Sequence, residues 1–275
     1  MVCRPELSIQ HYKPSARFEK FIRQFIFLKQ SAVGTSFLDK YIPDGYTSFV
    51  IHWGGNVYCY PHDEAVLLPR FFIVVPLHQA LPIRVFPSCD TMVVSFHTTM
   101  FTRLFRINLS RMKEMPFLPG ETIGCAQELK KIQVLDTNPQ RIAFIEEWLS
   151  RKFDIENYEP DEIDQVFDEL MGFHGSVAIR SVLQLKHINS RTFRRKFLQR
   201  TGMNAKSFCR IARFHYLWSE FLAQGIVNTQ EMIYNAGFYD QSHMINDFKQ
   251  FIGESPKNFF TRDQELVRFM SGKNV

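Results

Sequence analysis

Paired cysteines are what this chain of 275 residues most plainly lacks. Its five cysteines, Cys3, Cys59, Cys89, Cys125 and Cys209, are an odd number with wide spacing and no Cys-x-x-Cys pair. Neither a disulfide framework nor a zinc finger is indicated, and they read as reduced core thiols. Long apolar runs are missing as well. The most apolar stretch, Phe71 to Val75, stops at Pro76, far short of the roughly 20 residues that cross a bilayer as a helix. The N-terminus carries Arg4 and Glu6 with no apolar core region, so no signal peptide is expected and the cytoplasm is the expected compartment. A nucleophile elbow, a P-loop and a dinucleotide glycine fingerprint are all absent, which leaves catalysis without support. His52, His62, Asp63, Glu64, His78 and His97 are the candidate metal ligands, yet no His-x-His pair occurs among them. A metal-dependent enzyme is therefore the weaker alternative, and no metal or other cofactor is expected.

Acid is scarce in one place that matters. From Arg191 to Arg213 there are eight cations, Arg191, Arg194, Arg195, Lys196, Arg200, Lys206, Arg210 and Arg213, and no Asp or Glu. Charge runs usually only solubilise a surface, but a stretch this unbalanced suits a phosphate backbone better. The overall charge of +5 hides the same asymmetry. Residues 176–275 hold 15 Lys and Arg against 7 Asp and Glu, a net of +8, which leaves 18 against 21, a net of −3, in residues 1–175.

The basic half also carries one pattern twice. Phe197-Leu-Gln-Arg-Thr-Gly202-Met-Asn-Ala-Lys206-Ser-Phe208 returns 51 residues later as Phe248-Lys-Gln-Phe-Ile-Gly253-Glu-Ser-Pro-Lys257-Asn-Phe259, one small helical unit used twice. In the first copy Asn189 is placed to cap a helix that runs to about Thr201 and stops at Gly202. At helical spacing Phe193 and Phe197 share the inner face, and Arg191, Arg194 and Arg195 the outer one. In the second copy Asp240 takes the cap and Met244 and Phe248 the inner face. Ser242, Ile245 and Asn246 then face outward, with Gln241 in the first turn. A short helix presented this way after another helix and a tight turn is how side chains are brought to base edges in the major groove.

The segment Arg191-Thr-Phe-Arg-Arg-Lys-Phe197 is followed by Thr201-Gly202, then Ala236-Gly237-Phe238-Tyr-Asp240-Gln-Ser242, Phe248-Lys249, Gly253 and Ser255-Pro256. Together they resemble the double helix-turn-helix of AraC/XylS-type transcription regulators, over about Gly175 to Phe260. The resemblance implies two units joined by a long helix, here about Ala205 to Ala223 and ended by Gly225. It implies double-stranded DNA as the partner of a bacterial regulator, contacted through Arg191, Arg194, Arg195, Gln241, Ser242, Ile245, Asn246 and Lys249. RNA polymerase and a second copy of the chain are the further partners it allows. The chain departs from the family pattern at Leu183 and Ile233, where a small Ala is usual, at Lys186-His187, where an apolar residue and a turn Gly are common, and at Asn246, where Arg is frequent. Independently of the resemblance, Phe208, Ile211, Ala212, Trp218, Phe221 and Leu222 recur at helical spacing in the connecting segment.

The first half reads mostly as strands. Ser48 to Trp53, Gly54-Gly55-Asn56 and Val57 to Tyr60 have the form of a hairpin. Phe71 to Val75, Ile83 to Phe86 and Thr91 to Phe96 follow, broken at Pro76, Pro82 and Pro87, as in a small barrel or sandwich. Tyr41 to Tyr46 and Ser95 to Phe105 resemble the cupin-like sensor domain of one branch of the same family. A helix is expected from Asn138-Pro139 to about Phe153, and a second from near Pro160, with Ile163, Val166, Phe167 and Leu170 on one stripe. The expected class is thus α+β. Residues 1–155 form a cupin-like barrel or sandwich with helices, 156–174 a linker helix, and 175–275 an all-α double helix-turn-helix. Asp44, Tyr46, Trp53, Tyr58 and Phe96 are the candidate contacts for a small-molecule effector, although the aromatic ones fit a filled core equally well. Control through contact with another protein is the alternative to an effector.

Overall fold

The computed structural model describes residues 7–30, 36–112, 116–124, 126–224 and 229–260. Cys3, Cys125 and Gly225, singled out above, lie outside them, as do the side chains of Phe221 and Leu222. The first half contains strands β1 (Leu7–Tyr12), β2 (Ile22–Gln30), β3 (Phe37–Tyr41), β4 (Thr47–Gly54), β5 (Val57–Cys59), β6 (Val66–Leu67), β7 (Phe71–Val74), β8 (Leu81–Val85), β9 (Cys89–Phe96) and β10 (Phe117–Pro119). They form a six-stranded sheet in the order β1-β2-β9-β4-β7-β10 and a four-stranded sheet in the order β3-β8-β5-β6. Every described pairing is antiparallel.

The larger sheet is buried on both faces. Alternate residues of a strand point to opposite sides, so Val50 and Val93 enter a core shared with Val57, Ile83 and Val85 of the smaller sheet. Phe49, Ile51 and Val94 enter a second core on the opposite face. That second core is closed by α1 (Thr98–Leu104), α2 (Ala126–Leu129) and α3 (Asn138–Lys152), through Phe101, Leu129, Trp148 and Leu149. Burial on two faces explains why β4 reads as a continuous apolar run rather than an alternating one.

The expected hairpin is not formed. β4 pairs with β7 and β9, and β5 pairs with β6 and β8, so the chain crosses from one sheet to the other at Gly54-Gly55-Asn56. Gly54 sits at φ +83°, and a Cβ there would stand 1.8 Å from the carbonyl oxygen of Ser88. The backbone is bonded at this corner to the β8–β9 turn, Gly55 N–H to Ser88 O at 2.9 Å and Phe86 N–H to Asn56 O at 3.0 Å. The glycines therefore make a close crossing instead of a two-strand turn.

The second half is helical: α4 (Glu162–Gly172), α5 (Ile179–Leu185), α6 (Ser190–Thr201), α7 (Ala205–Gln224), α8 (Thr229–Asn235), α9 (Gln241–Ile252) and α10 (Pro256–Phe260). Helix α3 begins one residue earlier than its Asn-Pro pair suggested. Thr137 is the cap, in a reciprocal capping box with Gln140, and Asn138 and Pro139 open the helix. The stripe of α4 is fully buried, and it enters one core with Phe193, Phe197, Phe208 and Phe248. The fold is thus an antiparallel β region followed by an all-helical one. Among the described residues no helix is long and apolar enough to cross a membrane.

Candidate DNA interface

Each of the two helical units is built from a short helix, a turn and a longer helix. In the first, α5 ends at Lys186 and the chain turns through His187, at φ +54°. Asn189 caps α6, its side-chain oxygen accepting from the Arg191 and Thr192 amides at 3.0 and 3.1 Å. Gly202 closes the helix in the left-handed conformation. Phe193 and Phe197 are buried, and Thr201, also buried, donates to the Phe197 carbonyl at 2.8 Å. Arg191, Arg194 and Arg195 are left exposed on the opposite side.

The second unit repeats the plan with one more residue in its turn. Gly237 occupies the left-handed position, and Phe238 and Tyr239 lead to Asp240. The Asp240 carboxylate accepts from the His243 amide at 2.7 Å and so caps α9. Met244 and Phe248 are buried, and Gln241, Ser242, Asn246 and Lys249 are exposed. Ile245, expected on the outer face, is half-buried and packs against the helical core.

The eight cations between 191 and 213 divide into two groups. Lys196 pairs with Glu162 at 3.1 Å, Arg200 with Asp161 and Asp164, and Arg210 with Asp247 at 2.6 Å. Arg213 donates to the Gly175 carbonyl at 3.2 Å. Arg191, Arg194, Arg195 and Lys206 are exposed and have no ion-pair partner among the described residues. Sequence spacing could not make this division, because each partner lies on a different element.

Arg200 belongs to a network that joins α6 to both α4 and α1. Arg103 of α1 and Arg200 of α6 both pair with Asp164, which is 1% exposed at its side chain, and with Asp161. Burial works against the Asp161 charge, but the hydrogen bond and charge of Arg200, with Arg103 beyond, hold its carboxyl well below the ordinary range. The far end of α9 is held too. Lys40 of β3 donates to the Ile252 carbonyl at 2.7 Å and pairs with Glu254 at 2.9 Å, and the Ala80 amide donates to Phe251 O at 2.6 Å. The C-terminal end of α6 is therefore held by α4 and α1, and that of α9 by Lys40 and Ala80 of the β region.

The effector candidates are not brought together. Asp44 and Tyr46 lie between the two halves, where Tyr46 packs edge-on against Phe167 and His215 and under the Arg23 guanidinium. Phe96 is fully buried among Phe49, Phe101 and Phe105. Trp53 bonds Asp90 at 3.2 Å beneath Arg141, and Tyr58 packs on Phe86. None of these five lines the internal space between the sheets, a cavity of about 60 Å³ walled by aliphatic side chains with Tyr41, His52, Phe72, Thr91 and Phe117. All of its lining residues, Tyr41 and His52 among them, fall outside the effector set read from the sequence, and alternation along β3 and β4 was the signal available for those two. His52 is buried, its Nε2 3.0 Å from Pro69 O; burial and the nearby Arg70 charge push its pKa down, towards the neutral imidazole. His97 faces Asp168 at 3.4 Å instead of the other histidines. Among the described residues no three His, Cys, Asp or Glu side chains come together as a metal site. Cys59 and Cys209 are buried free thiols, each pushed up to about 11 by burial.

Residues 184–262 match the family described as a helix-turn-helix domain, and residues 10–116 match a domain of unknown function, DUF6597. No curated protein matches the chain. Among solved structures, ToxT from Vibrio cholerae is similar over 94% of this chain and 98% of its own, at 8% identity and a TM-score of 0.49. ToxT from Vibrio cholerae O395 bound to (E)-4-(8-methylnaphthalen-1-yl)but-3-enoic acid is similar over 97% and 99%, at 8% identity and a TM-score of 0.49. The AraC-like transcriptional activator CuxR is similar over 84% and 91%, at 10% identity and a TM-score of 0.28.

Proposed function

We propose that this chain, in which residues 184–262 match a helix-turn-helix domain, is an AraC-type DNA-binding transcription regulator whose two units read DNA by different chemistry. Helix α6 places Arg191, Arg194 and Arg195 on guanine edges and phosphates. Helix α9 places Gln241, Ser242 and Asn246 on adenine edges, with Lys249 on the backbone and Ile245 at the rim of the contact. The observation that carries this reading is the division of the cations: four of eight are engaged within the protein, and the three outward arginines of α6 are not.

The test uses the full chain and a duplex selected from a random library, with a scrambled duplex beside it. Arg195→Ala should weaken binding to the selected duplex more than to the scrambled one, by about 1–3 kcal/mol for a lost guanine contact. It should also flatten the slope of log affinity against log salt by about one unit, since one cation fewer releases counterions. Asn246→Ala should lower discrimination with the slope unchanged. A slope flattened equally by both substitutions would refute the division of labour, and no loss from Arg195→Ala would remove α6 from the interface.

The β region controls this reading, in our proposal, through a small apolar effector in the cavity between the sheets. Tyr41 lines that cavity, and Lys40, the preceding residue of β3, grips the end of α9. Neighbouring strand residues point to opposite faces, so one strand connects the cavity to the second unit. An effector acts only if it binds the two functional states unequally. Lys40→Ala should therefore change operator affinity although Lys40 lies at the end of α9 away from its exposed first turn, and an unchanged affinity would exclude β3 as the relay.

A further inference from the structure

Among its described side chains the second unit has little positive charge with which to hold a phosphate backbone. Over its described side chains Lys249 is the exposed lysine, Asp240 is committed to the helix cap, and Glu254 to Lys40. Asp247 is buried against Arg210. Yet a helix cannot read base edges unless something fixes its register on the duplex, and that work falls mostly to phosphate contacts. A neutral donor near the first turn of α9 would serve.

Tyr239 is such a group. It is 92% exposed, the highest value among the exposed large hydrophobic side chains described. It immediately precedes the cap Asp240, next to the exposed Gln241 and Ser242. It is also the residue by which the second turn exceeds the first: Ile188 leads straight to Asn189, whereas Phe238 is followed by Tyr239 before Asp240. Its amide approaches His243 Nδ1 at 3.5 Å, which directs the backbone into the cap and leaves the ring to solvent. A tyrosine in this state has surrendered the burial that usually stabilises an aromatic ring, and its phenol O–H is a donor with a reach longer than a serine's.

We infer that Tyr239 is a DNA-contacting residue of the second unit, its phenol donating to a backbone phosphate beside the bases that α9 reads. The inference rests on the placement of α9 in the groove proposed above. A neutral donor anchors without counterion release, so its contribution differs from that of an arginine in a measurable way.

The experiment compares the full chain with Tyr239→Phe, Tyr239→Ala and Asn246→Ala on the selected and scrambled duplexes across a salt series. Tyr239→Phe keeps the ring and loses only the hydroxyl. It should weaken binding to both duplexes by the same factor, about tenfold for a hydrogen bond to a charged group, with the salt slope unchanged; Tyr239→Ala should lose at least as much. Wild-type affinity for the Phe variant would overturn the assignment, and a loss confined to the selected duplex would make Tyr239 a base contact instead. Asn246→Ala reports separately on α9: if it leaves discrimination intact, the reading by α9 fails whatever Tyr239 does. Thermal melting of Tyr239→Phe should match the wild type, since the ring is solvent-exposed.

Discussion

Asp44 shows how far a single residue can run against its surroundings. It is 8% exposed, and its Oδ1 accepts from the Tyr46 amide at 2.9 Å. Burial pushes the carboxyl up to about 6, with the Tyr46 hydrogen bond and the Arg23 charge limiting the rise. A carboxyl raised above its unfolded value favours the protonated folded protein. The stability it permits is complete below about pH 4 and is lost as pH rises through about 6. Asp44→Asn keeps the acceptor oxygen and removes the charge. Its stability relative to the wild type should therefore increase between about pH 4 and 6 and level off above, by up to about 3 kcal/mol. Urea melts at a series of pH values measure this, and a difference that did not change with pH would remove the burial argument. Pro43-Asp44-Gly45 has the residues of a turn, but its position between the two halves is not written in them.

At the scale of elements, α4 decides where a DNA-binding fragment should begin. The apolar positions between Val182 and Phe248 suggest a fragment from about Gly175 onward that folds and binds DNA alone. Ile163, Val166, Phe167 and Leu170 are each 0% exposed, however, and they lie in one core with Phe193, Phe197 and Phe208. Four buried apolar side chains contribute roughly 1.5–3 kcal/mol apiece. A fragment starting near Tyr158, which keeps the Asp161 cap and α4, should melt well above one starting at Gly175 and bind the selected duplex more tightly. Equal melting temperatures by circular dichroism would show that α4 belongs energetically to the β region. The turns of the two units make the complementary point. Where the second has Gly237 at φ +76°, the first has His187 at φ +54°, a conformation that costs a non-glycine residue about 1–2 kcal/mol. The departure at Lys186-His187 was visible in the sequence, and the turn is nevertheless made, because the cap at Asn189 and the inward Phe193 and Phe197 fix both of its ends.

Over the whole molecule, the two helices proposed to read DNA are both tied to the first half of the chain. Helix α6 is tied through Arg200, Asp161, Asp164 and Arg103, and α9 through Lys40, Glu254 and Ala80. The side chains of Lys40 and Glu254 are 21% and 19% exposed, so this pair is less screened than a surface one. Its loss needs to shift the balance of two arrangements by only about 1.4 kcal/mol to change an affinity tenfold. That scale sets the expectation for Lys40→Ala: a change in operator affinity of severalfold, in either direction, from a residue that need not touch DNA. The space between the sheets, about 60 Å³, is small beside the roughly 300–1,000 Å³ of pockets that take drug-sized ligands, so the effector of our proposal would be small or would have to widen it.

What the sequence determined alone is everything that depends on near neighbours. The repeat, the caps at Asn189 and Asp240, the stop at Gly202 and the inward Phe193, Phe197, Met244 and Phe248 all stand as the spacing predicts. Capping and helical periodicity act within three or four residues, so they are written locally. What only the tertiary structure decided is every pairing made at long range. Arg200 meets Asp161 across 39 residues and Arg210 meets Asp247 across 37, which withdraws both arginines from the DNA-facing set. β4 and β5 leave the hairpin their glycines suggested and pair instead with β9 and β7 and with β8 and β6. A charge or a strand edge takes whichever complementary partner the packed fold brings near it, and nothing in the spacing along the chain names that partner.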